Sequence, residues 1–303
     1  MALVSPAIPP LPLPAKLGAF ARDIKISHTV FALPFALLST FMASNGLPSL
    51  GKLGLILLCM VTARSLAMAS NRLLDAQLDA LNPRTAGRAI PAGRLSRGFY
   101  RAISLLCAVA FIASTAGFLW FYRNPWPLLL AVPVLACLCA YPLLKRFTRL
   151  CHYHLGLALG LAPVCAWIAI RGNIAAPPLW MMGAVLCWTA GFDIIYACQD
   201  YESDLACGVF SVPSRVGIAR ALWIARATHL VCVAMLLALA NSTDQLGVLF
   251  RVGIGIATVL LVIEHALVRA DDLSKAGLAF FTVNGIISLL LGIFGITDVL
   301  LHR

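Results

Sequence analysis

Charge, and acid above all, is what this 303-residue sequence has little of: 12 Asp and Glu, and 12% charged residues in total, against 61% hydrophobic ones. A water-soluble domain carries roughly 25% charged and 45–50% apolar residues. Too little polar surface is present here to coat a soluble body. No Cys-x-x-Cys pair occurs among the ten cysteines, which excludes the common zinc and dithiol frameworks. The cysteines fall mostly in apolar runs and read as small packing residues, with no disulfide expected. The first 15 residues lack charge and hold five prolines, Pro6, Pro9, Pro10, Pro12 and Pro14. That pattern is neither a signal peptide nor a helix, so residues 1–15 are expected to be a disordered lead-in to a single transmembrane domain over 16–303.

What the sequence does contain is apolar runs of about 20 residues, the length that crosses ~30 Å of hydrocarbon. They recur at about 26–45, 51–71, 99–122, 126–144, 155–171, 178–199, 219–240, 249–268 and 277–301. The expected fold is all-α, a polytopic membrane protein of about nine helices. Of the 23 Lys and Arg, 17 fall before the first run or around the 2–3, 4–5, 6–7 and 8–9 connections, and five on the opposite side. That asymmetry orients the first side toward the cytoplasm. The N-terminus is then cytoplasmic, and the expected location is a bacterial-type cell membrane. The net charge of +11 is largely this orientation signal, not a nucleic-acid footprint, and no protein partner is inferred.

The scarce acid is concentrated. Six of the 12 acidic residues lie in two windows, Asp75 and Asp79, then Asp193, Asp200, Glu202 and Asp204. Each window sits at the cytoplasmic end of a run, and ionisable groups at such depth face a cavity or a partner. Asn71, Asp75 and Asp79 are four apart and share one helix face. Arg64 lies on the same face about two turns deeper. Asp200 and Asp204 repeat the four-residue spacing, with Asp193 two turns earlier. Aligned carboxylates repel unless a cation sits between them. Mg²⁺ suits Asp75, Asp79, Asp200 and Asp204, because it takes one or two carboxylates and completes its shell with phosphate oxygens. A single such pair would more often be a solvated helix end; two matched pairs in so acid-poor a chain point to a site. Arg84 and Arg88 follow the first window, Lys145 and Arg146 end the fourth run, and Lys25 and His28 open the first. Such residues bind phosphate oxygens, although each alone is explained by orientation bias.

At these residues the chain resembles the UbiA superfamily of intramembrane aromatic prenyltransferases. Asn71-x-x-x-Asp75-x-x-x-Asp79 is similar to its first signature, and Asp193…Gln199-Asp200-x-x-x-Asp204 to its second. Tyr141-Pro142-Leu143-Leu144-Lys145-Arg146 is similar to the loop after the fourth helix. Within the superfamily it looks closest to the 4-hydroxybenzoate polyprenyltransferase-like branch, including MqnP-type enzymes of the futalosine route to menaquinone. That likeness is carried by Ser27–Phe35, Leu81–Thr85, Gly191–Asp200 and Ala279–Asn284. Gly87-Arg88-Ala89-Ile90-Pro91-Ala92-Gly93 departs from the family's Asn-Arg-Pro-Leu-Pro-Ser-Gly but keeps the arginine.

The resemblance implies nine helices around a central cavity, capped by the 2–3 and 6–7 connections and open laterally to lipid. It also implies Mg²⁺-dependent transfer of a polyprenyl group from its diphosphate to an aromatic hydroxy-acid, 4-hydroxybenzoate or a dihydroxynaphthoate, in ubiquinone or menaquinone formation. In that reading Asp75 and Asp200 are catalytic through the metal, and Asn71, Arg88, Lys145, Arg146 and Lys25 bind substrate. Asp193 orients or deprotonates the acceptor hydroxyl, and Arg64 pairs with the acceptor carboxylate. Tyr196 and Asn284 are read as packing, and His28, His152 and His154 show no metal-ligand spacing. The alternatives are a transporter of an anionic solute, and an enzyme of the same scaffold with a haem, chlorophyllide or lipid acceptor. One-sided acid disfavours the transporter.

Overall fold

A computed structural model describes residues 12–302, with all side chains there except those of residues 26–28. Helix α1 (Leu13–Asp23) starts on Pro14 near its N-terminus, where a missing N–H costs nothing. It therefore begins inside the stretch expected to be a lead-in; Pro6, Pro9 and Pro10 lie outside the described residues. Lys25 takes a left-handed turn (φ 49°) into a 3₁₀ segment, Ile26–Phe31, and α2 (Leu33–Ser44) follows with Pro34 in its first turn.

Among the described residues, eight helices are long and apolar enough to cross a membrane. They are α3 (Leu50–Leu81), α4 (Arg97–Tyr122), α5 (Trp126–Leu144), α6 (Cys151–Arg171), α7 (Ala176–Ala197) running on through a 3₁₀ turn into α8 (Tyr201–Ala206), α10 (Ile218–Asn241), α11 (Val248–Leu267), and a last helix. The short α9 (Val212–Val216) sits between the fifth and sixth of these. The last is α12 (Ala276–Leu278) joined by a π-turn, Ala279–Val283, to α13 (Asn284–Leu301). The ninth expected span is the shorter apolar helix at Thr29–Ser44, because its first residues wind as 3₁₀ rather than α. The chain is thus a multi-pass, all-helical membrane protein.

Two sectors differ in filling. Around α2, α7, α10, α11 and α13 the core is dense: Trp188 meets Phe192 edge-on at 5.0 Å and Phe35 at 5.5 Å. Buried polar groups there are tied together. Asn284 accepts from Trp188 Nε1 at 2.6 Å and donates to Glu264 Oε1 at 2.7 Å and to Ala279 O, a carbonyl of the π-turn. Asn284 is therefore packing, as read from the sequence. Between α3, α4, α5 and α6 the side chains instead leave an apolar cavity lined by Ile56, Met60, Phe111, Phe118, Leu138 and Leu159.

The seam between the sectors is α6 against α7, and it depends on small residues. A Cβ at Gly156 would fall 2.3 Å from Leu186 O, and one at Gly160 2.8 Å from Met182 O. Close backbone approach over a Gly-x-x-x-Gly face is a common way to pack helices in lipid. Gly156→Ala is expected to cost roughly 1–3 kcal/mol through overpacking. Gly285→Ala, whose Cβ would meet nothing within 4 Å, is the control. Thermal unfolding in detergent checks this: the midpoint drops for the first variant only.

Candidate active site

Helix α3 has 32 residues and so runs for about 48 Å, well beyond the hydrocarbon thickness. Its last three turns carry the first acid window. The 82–96 connection folds back over this end through successive turns, with Thr85 N–H and Ala86 N–H donating to Asn82 O and Thr85 Oγ1 donating to Asp79 O at 3.0 Å. On the opposite wall α7 ends at Ala197. Cys198–Asp200 tighten into a 3₁₀ turn, with Gln199 Nε2 and Cys198 Sγ donating to the carbonyls of Tyr196 and Ile194. The regular helix expected across the second window is therefore interrupted at Asp200, and Asp204 follows on α8.

A polar cleft lies between these walls, lined by Asn71, Asp75, Asp79, Arg88, Lys145, Asp200 and Asp204 among others. All four carboxylates expected to hold metal line it. Asp75 is completely buried. Its Oδ2 accepts from Lys145 Nζ at 2.7 Å and Asn71 Nδ2 at 2.6 Å, while Oδ1 is buried with no donor. Asp79 repeats the pattern, Oδ1 accepting from Arg88 Nη1 at 2.7 Å and Oδ2 having no partner. Asp200 is held by Asn82 Nδ2 at 2.8 Å and by a two-pronged Arg84. Burial alone would lower the Arg84 pKa, but the hydrogen bonds and charge of Asp200 outweigh it and raise it. Tyr196 completes that clamp: its hydroxyl accepts from Arg84 Nη1 at 2.8 Å and its ring lies under the guanidinium. In the sequence Arg84 stands out only as a basic neighbour of the first window and Tyr196 as a packing residue; no local spacing links them to Asp200.

Two expected phosphate binders are placed elsewhere. Arg146 is exposed and donates to Leu74 O at 2.6 Å, outside the cleft. Adjacent residues at a helix end point about 100° apart, so Lys145 and Arg146 cannot both face inward. The side chain of Lys25 does not line the cleft either. Its pKa is lowered by partial desolvation and then by the positive charges of Arg84, Arg88 and Arg72, so it adds to the field from the rim. The side chain of His28 lies outside the described residues.

Below the cleft Arg64 lines the apolar cavity together with Tyr141. Arg64 Nη2 donates to Lys25 O at 3.1 Å, and its Nε is buried without a partner. A guanidinium with a spare donor in an apolar wall suits an anionic group. Asp193 stands on α7 two turns before Asp200 and is half-buried. Its Oδ2 lies 2.7 Å from His152 Nδ1, while Val212 N–H donates to His152 Nε2 at 3.1 Å. Because Nε2 accepts, Nδ1 carries the proton, and the imidazole donates to Asp193. His152 was read as having no metal role; its partner on α7 is invisible in local spacing.

Residues 32–286 match the model of the UbiA prenyltransferase family. The chain is 32% identical, over 80% of its length and 84% of the relative's, to a 4-hydroxybenzoate octaprenyltransferase of Pseudoalteromonas translucida. Among solved structures it superposes on the apo UbiA homolog of Aeropyrum pernix with a TM-score of 0.76 at 28% identity, covering 91% of this chain and 98% of that one. An Archaeoglobus fulgidus homolog bound to DMAPP and Mg²⁺ shares the fold at a TM-score of 0.69 and 20% identity, covering 93% and 99%.

Proposed function

The chain belongs to the UbiA prenyltransferase family, and from that premise we propose that it transfers a polyprenyl group from polyprenyl diphosphate to a ring carbon of an aromatic hydroxy-acid, in respiratory quinone formation. The acceptor is 4-hydroxybenzoate or a dihydroxynaphthoate, and the reaction depends on Mg²⁺. The relative named for 4-hydroxybenzoate supports this reading. The observation that carries it is the pairing of a polar cleft, lined by four aspartates, two arginines and a lysine, with an apolar cavity whose wall holds one arginine.

The donor set fits a hard cation. Asp75 and Asp79 each present one buried carboxylate oxygen without a donor, a costly state unless something positive completes it. Among the described residues no three His, Cys, Asp or Glu converge as a ready metal site. Lys145, Arg88 and Arg84 neutralise the carboxylates one by one instead. Asp75, Asp79, Asp200 and Asp204 would hold Mg²⁺, which with diphosphate bound supplies positive charge against the leaving group.

The chain's own residues then do the following. Lys145 and Arg88 sit at the cleft wall and can turn from carboxylate to diphosphate oxygens, stabilising charge as the allylic C–O bond breaks. The apolar cavity takes the prenyl tail and keeps water from the cation. Arg64 holds the acceptor carboxylate. Asp193, fixed by His152, orients or deprotonates the acceptor hydroxyl, so that the ring carbon attacks the allylic carbon and the ring then loses its proton. The excess of Lys and Arg on the side of the chain that carries the cleft supports a cytoplasmic orientation of the site in a bacterial-type cell membrane.

The test supplies purified protein in detergent with Mg²⁺ and a radiolabelled polyprenyl diphosphate, and offers 4-hydroxybenzoate and a dihydroxynaphthoate in parallel. Prenylated product with one acceptor, abolished by EDTA, is expected and names the pathway. Product only with a lipid, haem or chlorophyllide acceptor would overturn the quinone assignment.

A further inference from the structure

The first acid window is braced from outside the membrane helices. Asp23, the last residue of α1, has a side chain only 6% exposed, and its carboxylate meets three elements at once. It accepts from Tyr100 Oη on α4 at 2.5 Å and from Ala89 N–H in the 82–96 connection at 2.8 Å. It also pairs with Arg72 Nε on α3 at 3.2 Å. The Asp23 carbonyl accepts from Arg72 Nη2 at 2.9 Å, so Arg72 is gripped from two sides.

Arg72 passes this constraint on. Its Nη1 donates to Asn71 Oδ1 at 2.6 Å, and Asn71 Nδ2 donates to Asp75 Oδ2 at 2.6 Å. A guanidinium only donates, so Asn71 must turn its oxygen toward Arg72 and its NH₂ toward Asp75. With the Asn71 amide polarised this way and Lys145 on the same atom, Asp75 Oδ2 is filled and Oδ1 is the oxygen left over. The opposite amide orientation would set oxygen against carboxylate and repel it.

We propose that Asp23 is a positioning residue for the diphosphate cleft: acting through Arg72 and Asn71, it fixes which oxygen of Asp75 is offered to the metal–diphosphate complex. The peripheral helix α1 is then part of the working site and not only a surface strap. This rests on the cleft reading given above.

Binding tests it without turnover. Mn²⁺, as a paramagnetic stand-in for Mg²⁺, is titrated with inorganic diphosphate into the full-length protein and followed by electron paramagnetic resonance. Asp23→Asn can keep the acceptor for Ala89 N–H on its oxygen and turn its NH₂ toward Tyr100 Oη, which can accept instead of donate, but it removes the charge facing Arg72. Loss of one charge-assisted bond from the chain is expected to weaken Mn²⁺–diphosphate binding by about 10- to 100-fold. The thermal midpoint falls, because Arg72 loses its buried counter-charge, while the KM for the aromatic acceptor stays near wild type and Asp23→Glu restores part of the binding. In an Asn71→Ala background, Asp23→Asn is expected to add nothing, since the link between them is already cut. Full additivity of the two, wild-type binding in Asp23→Asn, or a binding loss matched by an equal loss of acceptor affinity would each overturn the proposal. Failure of the wild type itself to bind Mn²⁺–diphosphate would sink the cleft reading, and with it this one. Binding that is lost in Asp75→Asn but kept in Asp23→Asn would sink this one alone.

Discussion

Asp75→Asn is expected to lower kcat by about 10²–10³-fold or more, the scale on which removing one preorganised electrostatic group acts. The substitution keeps the shape of a completely buried side chain, so the loss is chemical rather than structural. It removes the buried carboxylate oxygen that has no donor, the one proposed to meet the metal, and also the counter-charge that holds Lys145 at 2.7 Å. Asp200→Asn is expected to fall in the same range, because it releases Arg84 from a two-pronged contact and unties the 82–96 connection from the end of α7. Arg146→Ala, by contrast, removes a guanidinium bound to a backbone carbonyl outside the cleft and is expected to leave activity within a fewfold of wild type. Single-turnover transfer from a radiolabelled prenyl diphosphate over a Mg²⁺ series is the measurement. Undiminished turnover in both aspartate variants would remove the metal–diphosphate assignment.

Legibility of this site followed the distance between partners along the chain. Asn71, Asp75 and Asp79 lie one turn apart on α3, so their common face was readable from spacing alone, and the structure lines the cleft with all three. Asp200 and Asp204 were readable as a pair, but the 3₁₀ turn between α7 and α8 was not. Nothing in that stretch breaks a helix as Pro or Gly would; side chains that engage the last carbonyls of α7 accompany the turn. Arg84 and Asp200 are 116 positions apart, and no periodicity connects a loop to a helix end over that separation. Lys145 and Arg146 were equivalent as sequence, and only helix geometry at the end of α5 separates them. The eight long helices were legible because hydropathy counts residues. The ninth was shortened by backbone winding before Pro34, which hydropathy does not see.

Asp193→Asn is expected to lower kcat by about 10²–10⁴-fold, the span typical of a positioned acid–base group, while the KM for prenyl diphosphate changes little. The split follows from position: Asp193 stands two turns from Asp200, is absent from the cleft lining, and is bound to His152 instead of a cation. His152 is the part the sequence did not reveal. Its ring joins three elements, taking a bond from Val212 N–H at the start of α9 and giving one to Asp193 on α7 from its place on α6. The start of α9 is itself fixed by a reciprocal Ser211–Ser214 capping box, so the imidazole is held on a rigid backbone donor. That donor determines the tautomer, and the tautomer keeps Asp193 an acceptor on one oxygen; in the proposed mechanism the other meets the acceptor hydroxyl. His152→Phe, which loses both contacts, should therefore follow Asp193→Asn in the kcat for the acceptor step. His152→Asn can place an amide N–H near the position of Nδ1 and should recover part of the rate. Rapid-quench kinetics with 4-hydroxybenzoate or a dihydroxynaphthoate distinguish the two variants. Equal rates in His152→Phe and wild type would show that the histidine only packs, and an Asp193→Asn enzyme with unaltered kcat would remove Asp193 from the chemistry.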